Sequence, residues 1–178
     1  MLETQTLSDL IIEEMNNGRA ISDCSNIIMP YKENPLISRV LNGETTVHDE
    51  FVEFQKNEFG TLCRLGLKEY NLSIEKDLEY GRISDILPVY EFTGKSGQFY
   101  NIGSDIRKTI AETLIGGLIY FQGLNPMLPE IIGFGAISVP IFYFFNRIWS
   151  MNRRIASFEK KAFIVDSALQ DYLSKPPS

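Results

Sequence analysis

A glutamate and a histidine one helical turn apart are the first residues of this chain whose types and spacing suit chemistry. His48 is the only histidine in 178 residues, and Glu44 lies four positions before it. On a helix both side chains would share one face, where a carboxylate and an imidazole can hold a metal ion or transfer a proton. A di-iron bundle needs a second such pair, which the sequence lacks. Acidic residues early in a helix also interact favourably with its dipole. The alternative is therefore that Glu44 and the acidic residues beside His48 only stabilise the helix.

Glu112 is the second candidate, because it lies inside the apolar stretch 110–121. A carboxylate within a membrane is costly unless it is paired or faces water, so an intramembrane carboxylate indicates function. Lys108 precedes it by one turn, and Glu112 could equally lie at the lipid headgroups. The sequence contains no Ser–His–Asp set, dinucleotide loop or zinc spacing, so we expect no enzymatic activity and no cofactor.

Composition excludes further classes of function. The net charge of −6 and the isoelectric point near 4.9 argue against nucleic acid as a partner, because phosphate binding needs a basic surface. Cys24 and Cys63 lie far apart with no second cysteine or histidine beside either. They predict neither a metal site nor a disulfide framework, and they are typical of a reducing compartment.

The apolar residues concentrate late in the chain. Between residues 113 and 146 the only charged residue is Glu130, and a turn rich in proline and glycine at 122–130 divides the block in two. Residues 103–149 therefore predict a two-helix membrane hairpin. Each half is shorter than the roughly 20 residues of a full span, so the hairpin could span the membrane or be re-entrant. The alternative is a buried helical hairpin in a soluble protein.

Basic residues lie on both sides of this block, and none lies in its turn. By the positive-inside tendency we expect a multi-pass protein in the lipid bilayer with both termini in the cytoplasm. Trp149, together with the phenylalanines before it, is typical of an interfacial aromatic belt. The flanking basic residues are Arg107, Lys108, Arg147, Arg153, Arg154, Lys160 and Lys161.

Residues 150–173 predict a cytoplasmic amphipathic helix that resembles a coiled coil, followed by a disordered tail at 174–178. In a parallel pair, Arg154 would meet Glu159 and Lys161 would meet Asp166, with opposite signs both times. The pattern thus favours parallel self-association, and the open alternative is packing of this helix on its own domain. Apolar residues recur every three or four positions to form this seam: Ile148, Met151, Ile155, Phe158, Ala162, Val165, Leu169 and Tyr172.

Residues 1–102 predict a cytoplasmic, mainly helical domain. Capping residues and apolar spacing indicate helices at 8–16, 35–41, from Thr45 or Thr46 to about 70, and 74–80. The domain would end in a β-hairpin at about 87–102, because 89–92 and 98–102 are rich in aromatic and β-branched residues. The loop between them contains Gly94-Lys95-Ser96, which lacks the earlier glycine of a phosphate loop and is better explained as a turn.

These elements together predict a mainly α-helical membrane protein. We expect a non-enzymatic, membrane-anchored scaffold or complex-assembly subunit that forms a homo-oligomer or joins a membrane complex. Two alternatives stay open: an oligomeric pore or effector gated by ligand or partner binding, and a soluble helical protein or enzyme in which 110–145 is buried. No stretch is specific enough to indicate a family.

Overall fold

The computed structural model describes residues 5–21, 24–64, 70–92, 110–111, 114–115 and 128–174. This part of the chain is mainly helical and contains no strand. The α-helices are α1 (Leu7–Asn16), α2 (Ser25–Ile28), α3 (Pro35–Leu41), α4 (Val47–Asn57), α5 (Gly60–Arg64), α6 (Ile74–Glu79), α7 (Ile83–Ile86) and α8 (Leu128–Ser174); short 3₁₀ helices lie at Met29–Tyr31 and Val89–Phe92.

Four of the early helices begin at a polar side chain that accepts a hydrogen bond from the first turn. Thr6 caps α1, Asn34 caps α3, Thr46 caps α4 and Ser73 caps α6. Each side chain satisfies a backbone N–H that has no partner within the helix. The starts of α3, α4 and α6 match the sequence prediction, whereas α1 begins just before the predicted Ser8.

The helix predicted from about residue 46 to 70 is wrong in length. Helix α4 ends at Asn57, and α5 begins at Gly60, whose φ is +42°. A positive φ is open to glycine at little cost but does not continue a right-handed helix. The chain therefore changes direction here, which brings Phe59 against Phe54 and Tyr70, with ring centroids 6.4 and 4.8 Å away.

Helix α8 runs for 47 residues, or about 70 Å. The sequence predicts two elements here, an apolar helix and a separate amphipathic helix from residue 150. The structure joins them without a break, and the backbone remains helical through Pro140. The residues that pack on the second half of α8 are consequently held at a fixed position relative to its first half.

The core combines the early helices with the second half of α8. Phe51 of α4 meets Phe158 of α8 edge to face, with ring centroids 6.0 Å apart, and Phe54 meets Tyr80 at 5.2 Å. This part of the fold, called the head from here on, comprises residues 5–92 and 151–174 as far as they are described. Its fully buried apolar side chains include Leu7, Ile11, Ile28, Leu36, Ile37, Val47, Ile83, Ile86, Leu87, Val165 and Leu169.

A close backbone approach joins α3 to the turn before α7. A Cβ at Gly81 would lie 2.9 Å from both the Cβ and the backbone nitrogen of Leu36. The Leu36 N–H donates to the Gly81 carbonyl at 3.3 Å, and the Asn34 amide donates to the Arg82 carbonyl at 3.1 Å. Both Gly81 and Arg82 have positive φ, so this junction depends on an unusual backbone conformation.

The predicted β-hairpin at 87–102 is not supported. Val89–Phe92 forms a 3₁₀ helix where the first strand was expected. Residues 93–102, which include the predicted turn and second strand, lie outside the described part of the chain. The Val89 N–H bonds to the Leu87 carbonyl at 2.7 Å, and both side chains are fully buried. That tight turn around Pro88 anchors the segment in the core before a strand can start.

In the part of the chain that the structure describes, no helix has both the length and the apolar composition needed to cross a membrane.

Candidate interaction surface

The first half of α8 carries a row of exposed apolar side chains, called the aromatic stripe from here on: Ile141, Phe142, Phe145 and Trp149. Phe142 is 76 % exposed, and Trp149 is 57 % exposed. Side chains three or four positions apart on a helix are neighbours, so the four form one continuous strip. A strip of this kind costs free energy in water, because its apolar area stays hydrated.

The aromatic stripe ends in a cation. The Arg153 guanidinium lies 4.0 Å from the centroid of the Trp149 ring, and both residues are exposed. A guanidinium over an indole face is attracted by the ring's quadrupole. Lys160, also exposed, follows Arg153 by two helical turns on the same side of α8. Arg153 and Lys160 are called the basic pair below.

Three further exposed apolar residues lie in the predicted first membrane helix. They are Ile110, Leu114 and Ile115, each more than half exposed. Glu112 between them lies outside the described residues, as do residues 122–127 of the predicted turn at 122–130. The last three residues of that turn, 128–130, instead form the start of α8. The predicted role of Glu112 therefore stays a prediction.

The predicted self-association seam lies in the head's own core. All its residues from Met151 onward are buried, and only Ile148, nearest the aromatic stripe, is partly exposed. Helix α8 uses this face to contact α1, α3, α4 and α5. The arrangement corresponds to the alternative given for residues 150–173, in which the helix packs on its own domain. Assembly of two chains through the seam would require the head to open.

Asp166, predicted to face a partner chain, caps α4 within its own chain. Its carboxylate accepts hydrogen bonds from the backbone N–H groups of Val47 at 2.7 Å and His48 at 3.0 Å. Burial raises the pKa of Asp166 above its ordinary value, although these two hydrogen bonds act in the opposite direction. The carboxylate satisfies donors that α4 cannot satisfy itself, and it joins α4 to α8.

Lys161 also has a partner inside the chain. Its ammonium group lies 2.8 Å from the Asp9 carboxylate, to which the Thr6 hydroxyl donates at 2.7 Å. Burial raises the pKa of Asp9, but the hydrogen bonds from Lys161 and Thr6 outweigh it, so the pKa lies below its ordinary value. The bridge ties the start of α1 to α8.

The structure gives separate surroundings to the two candidate metal ligands. The His48 ring stacks on Phe163 with centroids 4.0 Å apart, and its Nδ1 lies 3.8 Å from the Asp49 carboxylate. The Glu44 carboxylate instead lies 3.9 Å from Nε of Arg39. Across the described residues, no three His, Cys, Asp or Glu side chains are grouped so that they could hold a metal ion. Gly94-Lys95-Ser96 lies outside those residues.

Besides the intrachain partners of Asp166 and Lys161, sequence reasoning missed two further contacts. The pairing of Trp149 with Arg153 has a signal, an aromatic residue and an arginine at the i, i+4 spacing of one helix face. The ion pair between Arg39 and the buried Glu50, at 2.7 Å, joins α3 to α4 and has no comparable signal, because nothing local relates the two positions.

No protein-family model, curated protein or solved structure matches this chain.

Proposed function

We propose that this protein is a non-enzymatic, membrane-anchored assembly subunit. The single observation that carries the proposal is the composition of α8, one half of which lies in the head's core while the other presents the aromatic stripe. Aromatic side chains beside a basic residue suit the zone between headgroups and acyl chains, where an apolar ring and a polar edge are both accommodated. The anchor is this half of α8 together with the apolar stretch 110–121.

The experiment is membrane fractionation with carbonate and detergent extraction, applied to matched variants. Replacing Phe142 and Phe145 by asparagine removes apolar area from the aromatic stripe, so the protein should move from the detergent-extracted fraction to the soluble or carbonate-released fraction. Asparagine at Met29 and Leu173 removes exposed apolar area from the head instead and should leave the distribution unchanged. Unaltered fractionation of the stripe variant would refute the anchor.

The head supplies the surface for assembly. Ile74 and Leu78 are 78 % and 59 % exposed, one turn apart on α6. Such an apolar pair suits contact with another protein. Since the seam is buried, we place the homo-oligomer contact on α6. Aspartate at both positions should reduce the size of the detergent-solubilised particle towards one chain, whereas an unchanged size would place assembly elsewhere.

An oligomeric pore is the second candidate function. The observation that favours it is the continuity of α8, because a change in the head would be transmitted directly to the anchor. Dye release from vesicles containing the protein separates the two: tight vesicles support the assembly subunit, and leakage supports the pore.

A further inference from the structure

Phe142 and Trp149 of the aromatic stripe lie on the same face of α8 as the basic pair, and Phe145 lies roughly 60° to one side. With about 100° of rotation per residue, Phe142, Trp149, Arg153 and Lys160 fall within roughly 40° of one another. The buried residues Ile155, Phe158 and Ala162 fall roughly 180° away on the same helical wheel. Helix α8 therefore presents its apolar and basic side chains, in that order along its length, directly away from the head.

The charge at this face has the opposite sign to that of the whole protein. Arg153 and Lys160 are the two basic residues of 147–161 that lie on this face, whereas Lys161 pairs with Asp9 inside the head. The chain as a whole has a net charge of −6. Glu159 lies roughly 100° around the helix from Lys160. Four arginine and lysine side chains elsewhere on the head are paired with carboxylates: Arg19 with Glu14, Arg39 with Glu50, Lys76 with Glu58 and Glu79, and Arg82 with Asp85.

We propose that the outer face of α8, formed by the aromatic stripe and the basic pair, binds an anionic phospholipid bilayer. The inference rests on the proposed function and adds the class of lipid. Trp149 enters the interface, and the Arg153 guanidinium stacked on it meets lipid phosphates through its planar set of donors. Lys160, about 10 Å further along the helix, adds a weaker attraction, because a negative surface potential decays within a Debye length.

The test uses Trp149, the only tryptophan of the chain, as its own probe. The shift of its emission measures how strongly the full-length protein partitions into vesicles of phosphatidylcholine alone and of phosphatidylcholine with phosphatidylserine. We expect the ratio of the two partition constants to favour the anionic vesicles. Replacement of Arg153 by glutamine should lower the ratio about fivefold, replacement of Lys160 by glutamine should lower it less, and added salt should lower it for the unaltered protein.

Two controls separate charge from position. Lys56→Gln removes one exposed charge from α4 and should leave the ratio unchanged. Arg153→Lys keeps the charge and should retain most of the ratio, even if the glutamine variant folds poorly. Equal partition of the unaltered protein into both kinds of vesicle would overturn the lipid preference while leaving the anchor intact. Failure to enter either kind would instead overturn the proposed function.

Discussion

At the scale of single residues, the most consequential group is the Asp166 carboxylate. It accepts two backbone hydrogen bonds at the start of α4 from a position about 120 residues later in the chain. A backbone N–H that loses its acceptor inside a protein costs free energy, and here two would lose it together. Asp166 thus links α8 to the start of α4 through hydrogen bonds.

We expect Asp166→Ala to lower the free energy of unfolding by about 1–3 kcal/mol, since one buried and one part-buried donor lose their acceptor. Urea denaturation followed by circular dichroism measures the change. Asp171→Ala is the matched control, because it removes the same charge from the same helix without touching α4, and it should cost less than about 0.5 kcal/mol. Equal losses in the two variants would mean that Asp166 contributes no cap.

The ion pair between Asp9 and Lys161 should make stability depend on pH. Because the pKa of Asp9 in the folded protein lies below its ordinary value of 3.8, the pair stabilises the fold above that value. The contribution is lost as the pH falls through the folded-state pKa. The unaltered protein should therefore be more stable than Lys161→Gln at pH 6, and the difference should vanish in strong acid.

The exposed neighbour Lys160 supplies the control for this pH dependence. Lys160→Gln should match the unaltered protein at every pH in solution, because no carboxylate pairs with it among the described residues. A pH-independent deficit in Lys161→Gln would assign the effect to lost packing of the lysine stem rather than to charge.

Local signals account for what could be predicted among the residues. Asn34, Thr46 and Ser73 were expected near their helix starts, because a capping side chain acts on backbone two or three residues away. Asp166 was assigned to a partner chain, since its heptad position suits an interchain ion pair equally well. Which donor it meets depends on how α4 and α8 cross, and no local pattern carries that information.

At the scale of elements, burial of the seam makes a direct prediction. Ile155→Asn places an amide in the core and should lower the free energy of unfolding by roughly 3 kcal/mol or more. Ala156→Asn, one position along on the exposed side of α8, should cost less than about 0.5 kcal/mol. In a chain that also carries aspartate at Ile74 and Leu78, unfolding should not depend on protein concentration, and a midpoint that still rises with concentration would return the seam to an interface between chains.

The junction of α3 with the turn before α7 can be tested with two glycines. Alanine at Gly81 or Gly43 pays the same penalty for a positive φ, but only at Gly81 does the new Cβ meet Leu36. We expect Gly43→Ala to cost about 1 kcal/mol and Gly81→Ala to cost at least 1 kcal/mol more. Thermal unfolding measures both variants, and equal costs would show that the close approach carries no energy.

The elements were predicted unevenly, and the reasons are physical. Helices with a cap and a regular apolar face, such as α3, were expected with their correct limits. The continuity of α8 was missed because its apolar and amphipathic segments differ in composition, which predicts separate helices. A helical backbone can continue through such a change in composition. The strand expected at 89–92 was wrong because tertiary burial of Val89 outweighed its local strand propensity.

At the scale of the whole molecule, α8 is a core element, and in the proposed function it is also the anchor. The same helix is covered by the head on one side and carries apolar and basic side chains on the other. If the proposal holds, the orientation of the head relative to a membrane is set by the helix itself rather than by a linker.

The depth of Trp149 in a bilayer tests this account most directly. Lipids that carry a quencher at different positions along the acyl chain report that depth for the full-length protein in vesicles. The account predicts a blue-shifted emission that is quenched most strongly by labels near the headgroup. Emission typical of water, with no quenching at any depth, would contradict a membrane-facing aromatic stripe.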